Sequence, residues 1–202
     1  VIAQNGHLGG YAIGGDHATF YPELWAWLVE RLAIRTVLDV GCGEGHSVDA
    51  FARLGCEVVG LDGVPQPHPA VVTHDFTTGP APIGGDYDLV WCCEFVEHVD
   101  ERYLPNFLAA FARGRYVFLT HAEPGQPGYH HVNCRPTDYW RGAMAAIGYA
   151  VDERLTVAAR AVAGENRSAW NHFVRAGYAF ARPQDIQPDS NWVWETSPSG
   201  VR

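Results

Sequence analysis

No run of about eighteen consecutive apolar residues occurs in the 202-residue chain, so no helical membrane span is expected. The first residues carry neither the basic segment nor the apolar core of an export signal, and the expected location is the cytoplasm. Cysteine is sparse and unpatterned. Cys42, Cys56, Cys92, Cys93 and Cys134 give an odd count without C-x-x-C spacing, so the thiols read as reduced rather than as a disulfide framework or zinc ribbon. Positive charge is also short, with 14 Lys+Arg against 23 Asp+Glu and no basic cluster. Nucleic-acid binders draw much of their affinity from phosphate contacts, so DNA and RNA are disfavoured against a small neutral or cationic partner. Internal repeats and low-complexity segments are absent. What is present is enough apolar sequence, 47%, for the core of one domain.

Residues 1–20 read as a Gly-rich polar loop or arm, carrying His7, Tyr11, Asp16, His17 and Phe20, ahead of a domain over 21–202. Pro22–Leu32 reads as a helix, with proline at its first position and Leu24, Leu28 and Leu32 on one face. Short apolar runs follow at Thr36–Val40, Glu57–Leu61, Val71–His74, Tyr87–Trp91 and Tyr116–Thr120. Helical stretches are expected at Ser47–Leu54, from about Pro105, at Thr137–Ile147 and over 153–163. Tyr149–Asp152 reads as a short strand and Asn171–Ala181 as a last, longer one. The Pro-rich Val64–Pro69 leaves little room for a crossover helix. Such alternation predicts an α/β fold, a doubly wound, mostly parallel sheet with helices on both faces.

In such sheets the ligand sits beyond the carboxyl ends of the strands. The first strand runs into Asp39-Val40-Gly41-Cys42-Gly43-Glu44-Gly45, glycines being needed where a backbone turns sharply beside a ligand. About twenty residues on, the second strand ends in Asp62-Gly63, placed to accept the two ribose hydroxyls of a nucleoside. A nicotinamide or flavin dinucleotide is the competing ligand. The spacing G-x-G-x-G lacks the third glycine of the dinucleotide fingerprint, and Glu44 would repel a pyrophosphate at the helix start. A sulfonium cofactor without phosphate tolerates both Asp39 and Glu44.

LDVGCGEG and VVGLDG together resemble the first two motifs of class I S-adenosylmethionine-dependent methyltransferases. His74-Asp75-Phe76 is similar to the adenine-binding motif of that family, and Tyr87 to Val99, with E-x-x-E-H, to its fourth. The resemblance runs from about residue 20 to the end. It implies a Rossmann-like seven-stranded sheet with an antiparallel last strand. It implies S-adenosylmethionine as cofactor, held by Asp39, Gly41, Cys42, Gly43, Gly45, Asp62, Gly63, His74, Asp75, Phe76 and Cys93, with S-adenosylhomocysteine as product.

A hydroxyl acceptor needs a base near the methyl group; a carboxylate needs none, and an amine need only be neutral. His98 and, in the Gly/Pro-rich loop His121–Cys134, His121, His130 and His131 are the candidate bases, and each can equally be a hydrogen-bonded structural imidazole. This loop is expected to close over the acceptor, with His130 or His131 taking the proton. Trp170, Asn171 and His172 can rim the pocket or lie away from it, a choice the sequence does not decide. Glu94, Glu97, His98 and His131 also resemble the constellation of magnesium-dependent small-RNA 2′-O-methyltransferases and ubiquinone-pathway O-methyltransferases, which implies a divalent ion, Mg²⁺, as an option. The expected function is O-methylation of a sugar or secondary metabolite. N- or carboxyl-methylation, metal-dependent 2′-O-methylation and a non-enzymatic cofactor-binding interaction module remain as alternatives.

Overall fold

A computed structural model gives the structure, with residues 2–166, 168 and 170–186 described. Among the described residues nine strands are distributed over two sheets. Helix α1, Pro22–Leu32, starts at its proline and buries Leu24, Trp25 and Leu28. Strand β3, Thr36–Val40, leads through a glycine turn into α2, His46–Arg53. Strands β4, Glu57–Asp62, and β5, Val71–Thr73, follow with no helix between them, as the prolines of that segment require. Strand β6, Tyr87–Cys92, leads to α3, Leu104–Phe111. Then come β7, Gly114–Leu119, α4, Thr137–Ala146, β8, Ala150–Val151, and α5, Glu153–Ala163.

Two expectations fail. Asn171–Ala181 is not one strand: it divides into the short helix α6, His172–Ala176, and strand β9, Tyr178–Ala181. Asn171 explains the split, because its side-chain carbonyl accepts the Val174 N–H at 3.0 Å and caps a helix against the strand preference of the apolar residues. Gly177 closes the helix where a β-carbon would lie 2.5 Å from the Phe173 carbonyl oxygen. The N-terminal arm is not plain loop either. Ile2–Gln4 (β1) and Gly10–Ala12 (β2) pair as an antiparallel hairpin, with one-turn helices at Gly6–Leu8 and His17–Thr19.

The main sheet has the order β5-β4-β3-β6-β7-β9-β8. Strands β3 to β7 pair in parallel, and β9 runs antiparallel to both β7 and β8. Along each central strand alternate side chains enter opposite cores. Val37, Leu89, Trp91 and Phe118 join α1, α5 and α6 on one face. Leu38, Val90, Cys92 and Val117 join α3 and α4 on the other, which is why these strands are apolar throughout. From β3 the chain winds outward through β4 and β5, then returns to β6. The crevice between the ends of β3 and β6 is therefore the switch point of the sheet.

Candidate active site

The β3 turn is fastened to β4, since Gly41 and Cys42 donate their N–H groups to the Leu61 carbonyl at 2.8 and 3.1 Å. Gly41 has φ +80°, and a β-carbon there would lie 2.6 Å from that of Phe95. Gly43, at φ +53°, donates its N–H to one oxygen of Asp62 at 2.8 Å, and Val64 donates to the other at 2.8 Å. Each Asp62 oxygen thus holds one backbone donor and keeps acceptor capacity for another. Burial raises this carboxyl above its ordinary range against those two hydrogen bonds. Asp39 is only 2% exposed and accepts the Ser47 hydroxyl. Burial pushes it up to about 7, against the Ser47 bond and with the Asp62 charge adding to the rise.

Two cavities open here. The larger, about 550 Å³, is lined by Asp39, Gly41, Cys42, Gly43, Glu44 and Asp62 on one side and by Cys93, Glu94, His98, His131 and His172 on the other, with no Arg or Lys in its lining among the described residues. The smaller, about 240 Å³, is lined by Gly63, His74, Asp75, Phe76 and His130. Leu8, Phe95 and His98 border both. Gly45 and His121 line neither; Gly45 is the left-handed cap before α2.

The arm lies across both cavities. Gly14 donates its N–H to Glu44 at 2.9 Å, Gly6 donates to the Tyr129 hydroxyl at 3.2 Å, and Leu8 sits where a Gly63 β-carbon would approach within 2.9 Å. A His7 ring nitrogen lies 2.9 Å from Asp75. Burial alone would raise Asp75, but its bonds with His7 and Thr77 outweigh it and hold the carboxyl below its usual range.

These residues fit the implied cofactor. Asp62 can accept from a vicinal diol, the acidic lining suits a cationic group, and Gly41 and Gly43 border the cavity with backbone alone.

On the opposite wall of the larger cavity, Glu94 carries φ +53° and leaves β6 beside Thr120. Its N–H donates to the Thr120 oxygen at 2.7 Å, and the Thr120 hydroxyl donates to its carboxylate at 2.9 Å. The second carboxylate oxygen lies 2.8 Å from Nδ1 of His172. Burial would raise Glu94, but these bonds hold it below the ordinary carboxylate range. Glu97 is 0% exposed, and its carboxyl group meets that of Glu94. Burial and the Glu94 charge raise it well above the usual range. His98 is driven down to about 4 by burial and by His131, and its buried Nδ1 is unpartnered. One ligand atom each from Glu97, His98 and His131 lies within 4.8 Å of the others. Glu94 is not in that group, its oxygens being turned to Thr120 and His172.

His121 is 1% exposed and stacked on Tyr178 at 6.0 Å, with burial lowering its pKa. Nδ1 of His131 lies 3.0 Å from the Gln126 carbonyl. Sequence reasoning did not single out Ser47, Thr120 or the pairing of Glu94 with His172. Thr120 had a readable signal, a polar residue closing an apolar strand. The pairing had none, because its partners meet only in the fold.

A family model described as a methyltransferase domain matches residues 17–154. The chain is 36% identical over 90 residues to a ubiquinone biosynthesis O-methyltransferase of Pseudomonas paraeruginosa, covering 37% of this chain and 39% of that protein; well under two thirds of the relative is spanned. Among solved structures, DesVI of Streptomyces venezuelae superposes with a TM-score of 0.61 at 13% identity, covering 84% of this chain and 93% of DesVI. Magnesium protoporphyrin IX methyltransferase of Synechocystis PCC 6803, with bound SAM, gives 0.51 at 21% identity over 67% of this chain and 70% of its own.

Proposed function

The chain belongs to the methyltransferase-domain family, and from that premise we propose that it binds S-adenosylmethionine and methylates an oxygen of a small hydroxylated acceptor, a sugar or secondary metabolite. The observation that carries this reading is the larger cavity, which joins the Asp39–Gly43–Asp62 cradle to a pocket rich in imidazoles and free of arginine and lysine in its described lining. Phosphorylated or polyanionic acceptors find no counter-charge there.

In this reading Asp62 accepts the ribose hydroxyls and Gly63, Asp75 and Phe76 flank the adenine. Asp39, through its hydrogen bond with Ser47, fixes the loop and faces the cationic end. When bound, the cofactor supplies an electrophilic methyl carbon on a sulfonium. The arm, over its described residues 2–20, covers both cavities and keeps water from the reacting atoms. Of the four imidazoles expected from the sequence, His98 and His131 line the larger cavity and contact the acceptor.

The test is calorimetry with S-adenosylmethionine, then release of S-adenosylhomocysteine with separate hydroxyl, amine and carboxylate panels. Turnover confined to amines or carboxylates replaces the oxygen reading, and tight binding without any turnover leaves a cofactor-binding module. A second reading rests on the group Glu97, His98 and His131, whose ligand atoms lie within 4.8 Å of one another and suit a divalent ion with open positions. Under it, EDTA abolishes turnover and Mg²⁺ or Mn²⁺ restores it; full turnover in EDTA removes it.

A further inference from the structure

We propose that His172, held by Glu94, is the general base that takes the acceptor's hydroxyl proton, an assignment that rests on the oxygen-methylation reading above.

With the ring proton on Nδ1, facing the Glu94 carboxylate at 2.8 Å, the lone pair of a neutral His172 lies on Nε2. Among the described residues Nε2 has no hydrogen-bond partner, and His172 lines the larger cavity. A carboxylate behind an imidazole fixes both tautomer and orientation, which is what a base near a nucleophile requires. Glu94 is itself held from the far side by Thr120, through its backbone N–H and its carboxylate.

The support beneath His172 is rigid. Asn171 caps α6 and donates from its amide to the carbonyls of Ala163 and Asn166 at 2.6 and 3.0 Å. The buried Tyr21 hydroxyl accepts the Phe173 N–H at 3.0 Å and donates to the Ala18 carbonyl at 2.5 Å. Phe173, next in the chain to His172, is fully buried and stacks on Trp91 at 5.6 Å with an interplanar angle of 12°. These contacts tie α6 to the arm and to the sheet.

The other imidazoles serve less well. His121 lines neither cavity, and His130 opens only on the smaller one. His98 is buried with an orphaned Nδ1. His131 turns Nδ1 to a carbonyl and lacks a carboxylate partner among the described residues. His46 does meet Glu44, at 3.3 Å, but its side chain is 49% exposed, whereas those of His172 and Glu94 are 20% and 16% exposed. Burial works against a charged His172, yet the bond and charge of Glu94 outweigh it and Asp16 adds to them, while Arg175 opposes; the net shift is upward.

The step balances without a further reactant. The hydroxyl proton passes to Nε2 while the oxygen's electron pair forms the bond to the methyl carbon. The pair of the breaking carbon–sulfur bond stays on sulfur, which becomes a neutral thioether, and the imidazolium then releases its proton to water.

Two measurements test the assignment. In ¹⁵N-histidine NMR of the unaltered protein, without acceptor, His172 is expected as the Nδ1–H tautomer with a pKa that falls in Glu94→Gln. An Nε2–H tautomer, or a titration untouched by Glu94→Gln, overturns the dyad. In turnover with the hydroxyl panel, His172→Gln is expected to lose roughly a hundredfold in kcat with cofactor affinity by calorimetry unchanged. His172→Ala is expected to recover part of that loss in added imidazole. Glu94→Gln is expected to lose about tenfold in kcat with the acceptor's KM unchanged, the mark of a positioning residue rather than of a disturbed pocket. Normal kcat in His172→Gln overturns the inference while leaving the oxygen reading intact. If His172→Gln loses cofactor affinity, the NMR result and Glu94→Gln decide. Failure of the unaltered protein on every hydroxyl acceptor overturns the reading and this inference together.

Discussion

At the scale of single side chains, the proposed hold on the cofactor can be tested residue by residue. Removing the Asp62 carboxylate takes away the group expected to accept two charge-assisted bonds, each contributing roughly 1.5–3 kcal/mol. Asp62→Ala should therefore weaken S-adenosylmethionine at least tenfold in calorimetry, with the unfolding transition retained. Gly41 admits no side chain: its φ is +80°, and the Phe95 β-carbon stands 2.6 Å from where an alanine methyl would lie. Gly41→Ala should accordingly abolish binding, and wild-type affinity would disprove the cradle. Asp39 gives a pH signature. Its carboxyl ionises near 3.8 when unfolded and at about 7 when folded, so the folded state holds the proton through that window. The stability this contributes is complete below about pH 4 and is lost as pH rises through about 7. Asp39→Asn should flatten the fall in Tm between those limits; an unchanged slope would assign it to other groups. That Asp39, Gly41, Gly43 and Asp62 come together on one cavity wall was legible because the turn and the strand end impose their own spacing. The acceptor side was not, since Thr120 and His172 reach Glu94 through tertiary contacts that no spacing records.

Among the elements, α6 departs most from its sequence pattern. Its apolar residues, bounded by Asn171 and Gly177, read as the start of a strand. What decides the matter is a side-chain cap and a close backbone approach, neither of which periodicity encodes. Phe173→Ala should cost about 3–5 kcal/mol in denaturant unfolding, and it should also lower turnover in molecules that remain folded, because His172 shares that short helix. A stability loss without any effect on kcat would detach α6 from the chemistry. The loop His121–Cys134 offers the complementary test. It was expected to bring a base on a closing lid, and the geometry separates its histidines into a buried stack, the smaller cavity and the larger one. Replacing His130 and His131 together by Ala should raise the acceptor's KM and cost less than tenfold in kcat. A hundredfold loss in kcat with cofactor affinity unchanged would return the proton transfer to this loop.

At the scale of the whole molecule, the alternation of strand and helix was enough to foresee a doubly wound sheet, because buried parallel strands must be apolar on both faces and their crossovers must cover them. The insertion of β9 between β7 and β8 was not foreseeable from pattern, since neighbouring order depends on which faces the helices leave open. Charge behaves likewise: the total of -9 could have hidden a local basic patch, and the described lining of the larger cavity has none. The protein should therefore not retain single-stranded RNA at physiological salt in a filter assay, and retention that weakens steeply with salt would contradict a small neutral acceptor. One backbone angle carries a consequence for descent. Glu94 bears a β-carbon at φ +53°, a conformation that disfavours such residues by roughly 1–2 kcal/mol and glycine hardly at all. Selection for stability alone would carry a lineage with no use for this carboxylate toward glycine or asparagine at the position. Among descendants of one ancestor, a persistent glutamate there would be a fossil of selection, and its replacement would date the moment the chemistry was abandoned.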